Sequence, residues 1–271
     1  MPGMPDQRSA VRPADRWRDL LQRSAVPQEI IDASPEPDAT LEPERFRWNP
    51  EEDARQPVRP SRRRALEALP QGGTVLDVGV GGGASSLGLV PKPGLIVGVD
   101  PLPGMLASFQ ASAAEAGVAC EAVLGTWPEA VERVEPVDVA VCHHAIYRVE
   151  ELEDFLAAMT ATARRRVVVE ISDRSPLAAL DPLWKALYGI ERPVWSVADE
   201  AEAVLHAMGV GVEREDMVLP PRAPEVTPDY VTFCRRRLYA GPERDPEIEA
   251  FLRAREPQEH KVVALFWPGM A

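Results

Sequence analysis

Val75-Leu76-Asp77-Val78-Gly79-Val80-Gly81-Gly82-Gly83 reads as a short apolar strand that carries one acid and runs directly into a glycine loop. Glycine lacks a Cβ and tolerates positive φ, so such a loop turns sharply and brings its backbone against a ligand. In an open parallel sheet that ligand lies beyond the carboxyl ends of the strands. The carboxylate of Asp77 suits a ligand carrying positive charge.

The flanking segments alternate strand-like and helix-like patterns, as a parallel sheet covered by helices requires. Strands are expected at 75–78, 95–99, 118–124, 137–142 and 166–171; the last contains Val167-Val168-Val169 and is apolar on both faces, as a buried central strand should be. An alanine-rich helix is expected at 103–116, ended by Gly117, and Leu152, Phe155, Leu156 and Met159 fall on one face of another. A helix at 199–208, a strand at 210–218, a charged helix at 246–255 and a strand at 261–267 follow, so the sheet finishes with two strands close in sequence.

Residues 1–60 are broken by Pro27, Pro35, Pro37, Pro43, Pro50, Pro57 and Pro60, which prevents long helices. They are expected to form an N-terminal arm with a helical patch at 14–22 and with Phe46 and Trp48 as anchors. The arm either lies on the main domain or acts as a lid over a ligand cleft. Residues 61–271 form that domain, with an insert near 174–198 that holds Trp184, Tyr188 and Trp195.

Composition narrows the function. With 45% hydrophobic and 27% charged residues in 271, the chain is an ordinary globular one. A formal charge of −13 repels polyphosphate and disfavours a nucleic-acid partner. Cys120, Cys142 and Cys234 lack metal or disulfide spacing, which fits a reducing cytoplasm. The polar N-terminus and the lack of a long apolar run imply neither export nor a membrane span.

Gly79-x-Gly81-x-x-Ala84 also satisfies a nicotinamide fingerprint, so the glycines alone leave NAD(P) and S-adenosylmethionine open. Asp77 favours the second, because a carboxylate in the site opposes a pyrophosphate and attracts an amino group and a sulfonium. Asp100 ends the run Val97-Gly98-Val99-Asp100 one βαβ step later, where an acid can accept both hydroxyls of a ribose.

Those two runs, together with Leu124-Gly125-Thr126-Trp127-Pro128 and Asp138-Val139-Ala140-Val141-Cys142-His143-His144, resemble the class I S-adenosylmethionine-dependent methyltransferase family over residues 61–171. The resemblance implies an α/β fold: a Rossmann-like, doubly wound, mostly parallel seven-stranded sheet with helices on both faces, plus the N-terminal helical arm. It implies S-adenosyl-L-methionine as cofactor, with Gly79 and Gly81 facing its methionine part, Val78 and Val80 beside them, and Asp77 near its amino group. Asp100 would hold the ribose, Pro101 and Leu102 would flank the adenine, and Thr126 and Trp127 would take the adenine edge, where the acid common in the family is missing. Cys142 and His143 would stand between cofactor and acceptor.

The Asp/Asn-Pro-Pro-aromatic tetrad of the family's nucleic-acid amino-methylating members is replaced here by Cys142-His143-His144-Ala145. The expected reaction is therefore in-line methyl transfer to a small molecule. An NAD(P)-dependent oxidoreductase and a methyltransferase-like binding protein without turnover are the alternatives. His143 or His144 can serve as general base, one at most facing the acceptor; packing at the strand end is the competing role. Adjacent histidines give poor metal spacing, and Cys142 reads as a small apolar wall. The runs Arg62-Arg63-Arg64, Arg164-Arg165-Arg166 and Arg235-Arg236-Arg237 read as solvated helix ends rather than anion sites.

Overall fold

Runs of β-branched residues form the strands expected of them. A computed structural model describes residues 11–36, 43–222 and 224–270. Its strands are β1 (Gly73–Val78), β2 (Pro93–Asp100), β3 (Ala119–Leu124), β4 (Val137–His143), β5 (Ala163–Ser172), β6 (Glu213–Arg222) and β7 (Gln258–Pro268). They make one sheet in the order β3-β2-β1-β4-β5-β7-β6, in which β1 to β5 pair in parallel and β7 runs antiparallel to both neighbours. The strand order reverses between β1 and β4, the place where open α/β sheets take their ligands.

The helices are α1 (Pro13–Ser24), α2 (Gln28–Ala33), α3 (Pro50–Arg55), α4 (Pro60–Ala68), α5 (Ala84–Leu87), α6 (Pro103–Ala116), α7 (Leu152–Thr162), α8 (Asp181–Tyr188), α9 (Val197–Ala207), α10 (Pro228–Arg237) and α11 (Asp245–Ala254). One face of the sheet packs on α7 and α9 through Leu152, Phe155, Leu156, Met159 and Val204, all buried. The other packs on α4, α5 and α6 through Ala65, Leu69, Leu87 and Phe109. A third cluster, with Trp184, Val231, Leu238 and Ile248, joins α8, α10 and α11, so the expected insert packs on the C-terminal helices.

Three boundaries move for local reasons. Ser196 caps α9 by accepting from the N–H of Asp199 at 3.1 Å, so the helix starts two residues before the expected position. β6 begins at Glu213 because the turn at Gly209 continues through Val210, whose N–H donates back to the Leu205 carbonyl. The strand then runs through Pro220 and Pro221, which an edge strand tolerates.

Of the expected arm, residues 1–10 and 37–42 lie outside the described residues. The helical patch is longer than its sequence pattern indicated, filling α1, and the deepest anchor is Trp17. That indole is fully buried, donates to the Val149 carbonyl at 2.7 Å and meets Trp195 edge-on at 5.4 Å. The anchors expected from sequence are shallower: Phe46 is 40% exposed and Trp48 half-buried. Replacing Trp17 by Ala should lower the unfolding free energy by about 3 kcal/mol, as for other large-to-small changes in a core. Chemical denaturation measures this; a change below about 1 kcal/mol would mean that α1 adds little to the domain.

Candidate functional site

Strand alternation turns Asp77 to the α5 side of the sheet, where its carboxylate is completely buried. Ser85 Oγ donates to it at 2.8 Å and Ser86 Oγ at 2.6 Å, and the Ser86 N–H adds a backbone bond. The acid thus fastens the first turn of α5 to β1. Burial raises its carboxyl to about 6 against these hydrogen bonds, and the nearby Asp100 adds a little more.

Asp100 closes the same loop from β2. Its Oδ2 accepts from the Gly81 N–H at 3.0 Å and its Oδ1 from the Leu102 N–H at 2.9 Å. Burial raises this carboxyl also. The N–H groups of Gly79 and Val80 donate to the Val99 carbonyl, and that of Gly83 to the Val80 carbonyl. Four amides of the loop are therefore bound within the protein.

Two close approaches explain why glycine is required. Gly79 has φ 72°, and a Cβ there would stand 2.5 Å from that of Ala145, so the loop touches the turn that follows β4. At Gly82 a Cβ would lie 1.9 Å from the Phe46 carbonyl oxygen. Arg47 bridges to Gly82 as a short parallel ladder, and the turn Pro43–Phe46 lies against α6, with Pro43 2.9 Å from where a Gly104 side chain would begin. The N-terminal segment crosses directly over the glycine loop.

The remaining residues expected at the cofactor divide by environment. Val78, Val80 and Cys142 are buried in the two cores, and burial drives the Cys142 thiol far above its ordinary range. Pro101 is exposed and Leu102 half-buried. Trp127 is buried with its Nε1 donating to the Phe155 carbonyl at 3.1 Å, so its polar edge is already engaged. Thr126 is exposed, and its hydroxyl donates to Glu129 at 2.6 Å. Glu129 brings a carboxylate to that edge from three residues farther on.

A second polar cluster occupies the carboxyl ends of β4 and β5. His143 pairs in register with Glu170. Burial pushes the His143 imidazole down to about 4, which keeps it neutral at neutral pH, and its Nε2 has no protein partner among the described residues. His144 leaves the strand with φ 55° and directs Nε2 to Glu170 Oε1 at 3.2 Å and Nδ1 to the Tyr147 hydroxyl at 2.8 Å. Tyr147 also accepts from the Ser172 N–H at 2.7 Å, and burial lifts its hydroxyl to about 12.

Glu170 organises this cluster. It is 1% exposed and takes Arg59 and the Ser61 hydroxyl as well as His144. Burial alone would raise its carboxyl; the imidazoles of His143 and His144 and the Arg59 guanidinium outweigh burial and hold it well below the usual carboxylate range. An ionised Glu170 selects the His144 tautomer with its proton on Nε2, which leaves Nδ1 to accept from Tyr147. Sequence reading identified the histidines but missed Glu170 and Arg59. Glu170 sits in an apolar strand, where one acid among valines was the available signal.

The arginine runs are less solvated than expected. Arg235 is buried and pairs with Glu36 at 2.8 Å and Asp245 at 2.9 Å, and Arg62 and Arg64 meet Asp53 and Glu215. Among the described residues no group of three or more His, Cys, Asp or Glu side chains is arranged to hold a metal ion, and no helix is long and apolar enough to cross a membrane.

The sequence profile described as "Methyltransferase domain" matches residues 75–166, from β1 into β5. Ubiquinone biosynthesis O-methyltransferase of Azorhizobium caulinodans is 37% identical over 93 residues, 34% of this chain and 36% of that protein. Its namesake from Methylobacterium nodulans is 32% identical over 105 residues, 39% of this chain and 41% of that protein. The match therefore spans well under half the length of these relatives. Among solved structures, the YcgJ protein of Bacillus subtilis superposes with a TM-score of 0.53 at 16% identity, covering 78% of this chain and 98% of that one. A protein of Bacillus halodurans C-125 described as a methyltransferase gives 0.51 at 14% identity, covering 78% and 99%. Residues 75–166 thus match a methyltransferase domain, and the sheet that carries them has the fold of these solved structures.

Proposed function

We propose that this chain binds S-adenosyl-L-methionine at the glycine loop and transfers its methyl group to a hydroxyl of a small molecule. The observation that carries the reading is the buried pair Asp77 and Asp100, both raised by burial and neither bonded to a basic side chain. Two desolvated carboxylates call for positive charge from a ligand. The competing nicotinamide cofactor fits poorly, because a pyrophosphate needs free amides at a helix N-terminus. Here the loop amides are bound within the protein and the start of α5 already faces Asp77.

On this reading the cofactor supplies an electrophilic methyl group on sulfur. Asp100 accepts the ribose hydroxyls, Asp77 favours the charged end, and Pro101, Leu102, Thr126 and Trp127 border the adenine. His143, neutral and with an open Nε2, offers one hydrogen bond at the boundary with the acceptor. Residues 43–48 act as a lid that excludes water, and residues 61–271 carry the reaction.

The proton leaving the acceptor hydroxyl passes to the Tyr147 oxygen, while the Tyr147 proton moves to His144 Nδ1. Glu170 then stabilises the imidazolium. A hydroxyl acceptor agrees with the named activity of the two partial relatives. The net charge of −13 supports a small molecule over nucleic acid.

Calorimetric titration with S-adenosylhomocysteine is the direct test. Saturation below about 1 mM is expected, and none at that concentration would sink the reading. Because Asp77 titrates near 6, affinity for this amine-bearing ligand should fall as pH drops from about 7.5 to 5, by about tenfold, and D77N should flatten the dependence.

For the proton route, H144Q and Y147F should each lower kcat by about 10²-fold while leaving S-adenosylhomocysteine affinity unchanged; wild-type kcat in both variants would remove the route. E170Q should cost about 3 kcal/mol of stability at neutral pH, since it leaves Arg59 without its charged partner. The depressed carboxyl stabilises the fold above its ordinary value of 4.5, so the gap to E170Q should shrink as pH falls below that value. Urea melts across pH report it, and a gap independent of pH would contradict the ionised Glu170.

A further inference from the structure

We propose that Arg148, Arg192 and Arg237 form a binding site for an anionic group, a carboxylate or a phosphate, on the methyl acceptor; the assignment to the acceptor rests on the methyltransferase reading above. The three come from separate parts of the chain. Arg148 ends the short turn Ile146–Arg148 that follows β4 and is the residue after Tyr147. Arg192 lies beyond α8, and Arg237 is the last residue of α10. Arg148 is near enough to both of the others to disfavour their charged forms, adding to the effect of burial.

Their surroundings hold them in place without neutralising them. The Arg192 guanidinium stands 4.1 Å from the centre of the buried Trp184 ring, and that of Arg237 stands 5.2 Å from the centre of Phe233. Arg45 lies over the same Phe233 ring at 4.9 Å, one residue from the Phe46 carbonyl that covers Gly82. The arginines are thereby linked to both the Tyr147 turn and the segment over the glycine loop.

Among the described residues none of the three makes a hydrogen bond or ion pair with a carboxylate; Asp181, which is 3.8 Å from Arg174, is the acid that acts on Arg192. The Nε of Arg192 is buried without a partner. In a protein with 43 acids and 30 bases, half-buried arginines such as Arg59, Arg62 and Arg64 have carboxylates in contact and Arg214 has three, whereas Arg255 has none among the described residues. Arg192 and Arg237 are half-buried with no carboxylate in contact, which is costly, and a bound anion making charge-assisted hydrogen bonds offsets that cost.

Tyr239 adds a backbone signal. It is one of two non-glycine residues held at positive φ among those described, at 55°; the other is His144. It lies close to Arg192 and Arg237. Such strain concentrates at ligand sites.

The test is calorimetric titration of the full chain with inorganic phosphate and, separately, benzoate, beside a titration with S-adenosylhomocysteine. At least one anion should saturate a single site near about 1 mM, and R192Q and R237Q should weaken it about tenfold while changing S-adenosylhomocysteine affinity less than about twofold. Because Arg192 packs on Trp184, R148Q at an exposed position provides a variant that keeps the fold, and it should weaken anion binding in the same direction. Equal anion affinity in wild type and the variants, or no saturation by about 10 mM, would overturn the site. Anion binding without S-adenosylhomocysteine binding would leave the arginine site standing and overturn the methyltransferase reading.

Discussion

The buried carboxylate of Asp77 is the constraint on which the glycine loop depends. It joins the end of β1 to the start of α5 through two serine hydroxyls, and it does so at the strand-order reversal. A helix of four residues has little stability of its own, so its first turn needs such an anchor. The contact of Gly79 with Ala145 and the covering by Phe46 lie on the loop between these two anchored ends.

Two acids on one face of the sheet show how environment sets charge. Glu170 is almost as buried as Asp77, yet its carboxyl is depressed while that of Asp77 is raised. The difference is the partner: hydroxyls and one amide for Asp77, a guanidinium and imidazoles for Glu170. Neutral hydrogen bonds offset only part of the desolvation, whereas an opposite charge reverses it. One acid therefore stays close to its protonation range, and the other is held ionised and orients His144.

Much of this was legible in the sequence, and the part that was not has a physical reason. The five parallel strands, α6 and the apolar face of α7 carry local periodicity and capping that a single chain reveals. The glycine loop and Asp100 were readable because each stands at the carboxyl end of a strand. Trp17, Glu170 and the pairing of Arg235 with Glu36 were not, because each depends on residues more than a hundred positions away. The prolines in β6 obscured it, since only its place at the sheet edge makes them acceptable.

The central claim is that one crevice holds the methyl donor between Asp100 and the Tyr147–His144 pair. A crystal structure with S-adenosylhomocysteine bound tests it most directly. The expected result is a ribose with its hydroxyls about 3 Å from Asp100, an amino end beside Gly79 and a sulfur facing Tyr147. A ligand seated elsewhere, or one whose sulfur faces away from Tyr147, would contradict it.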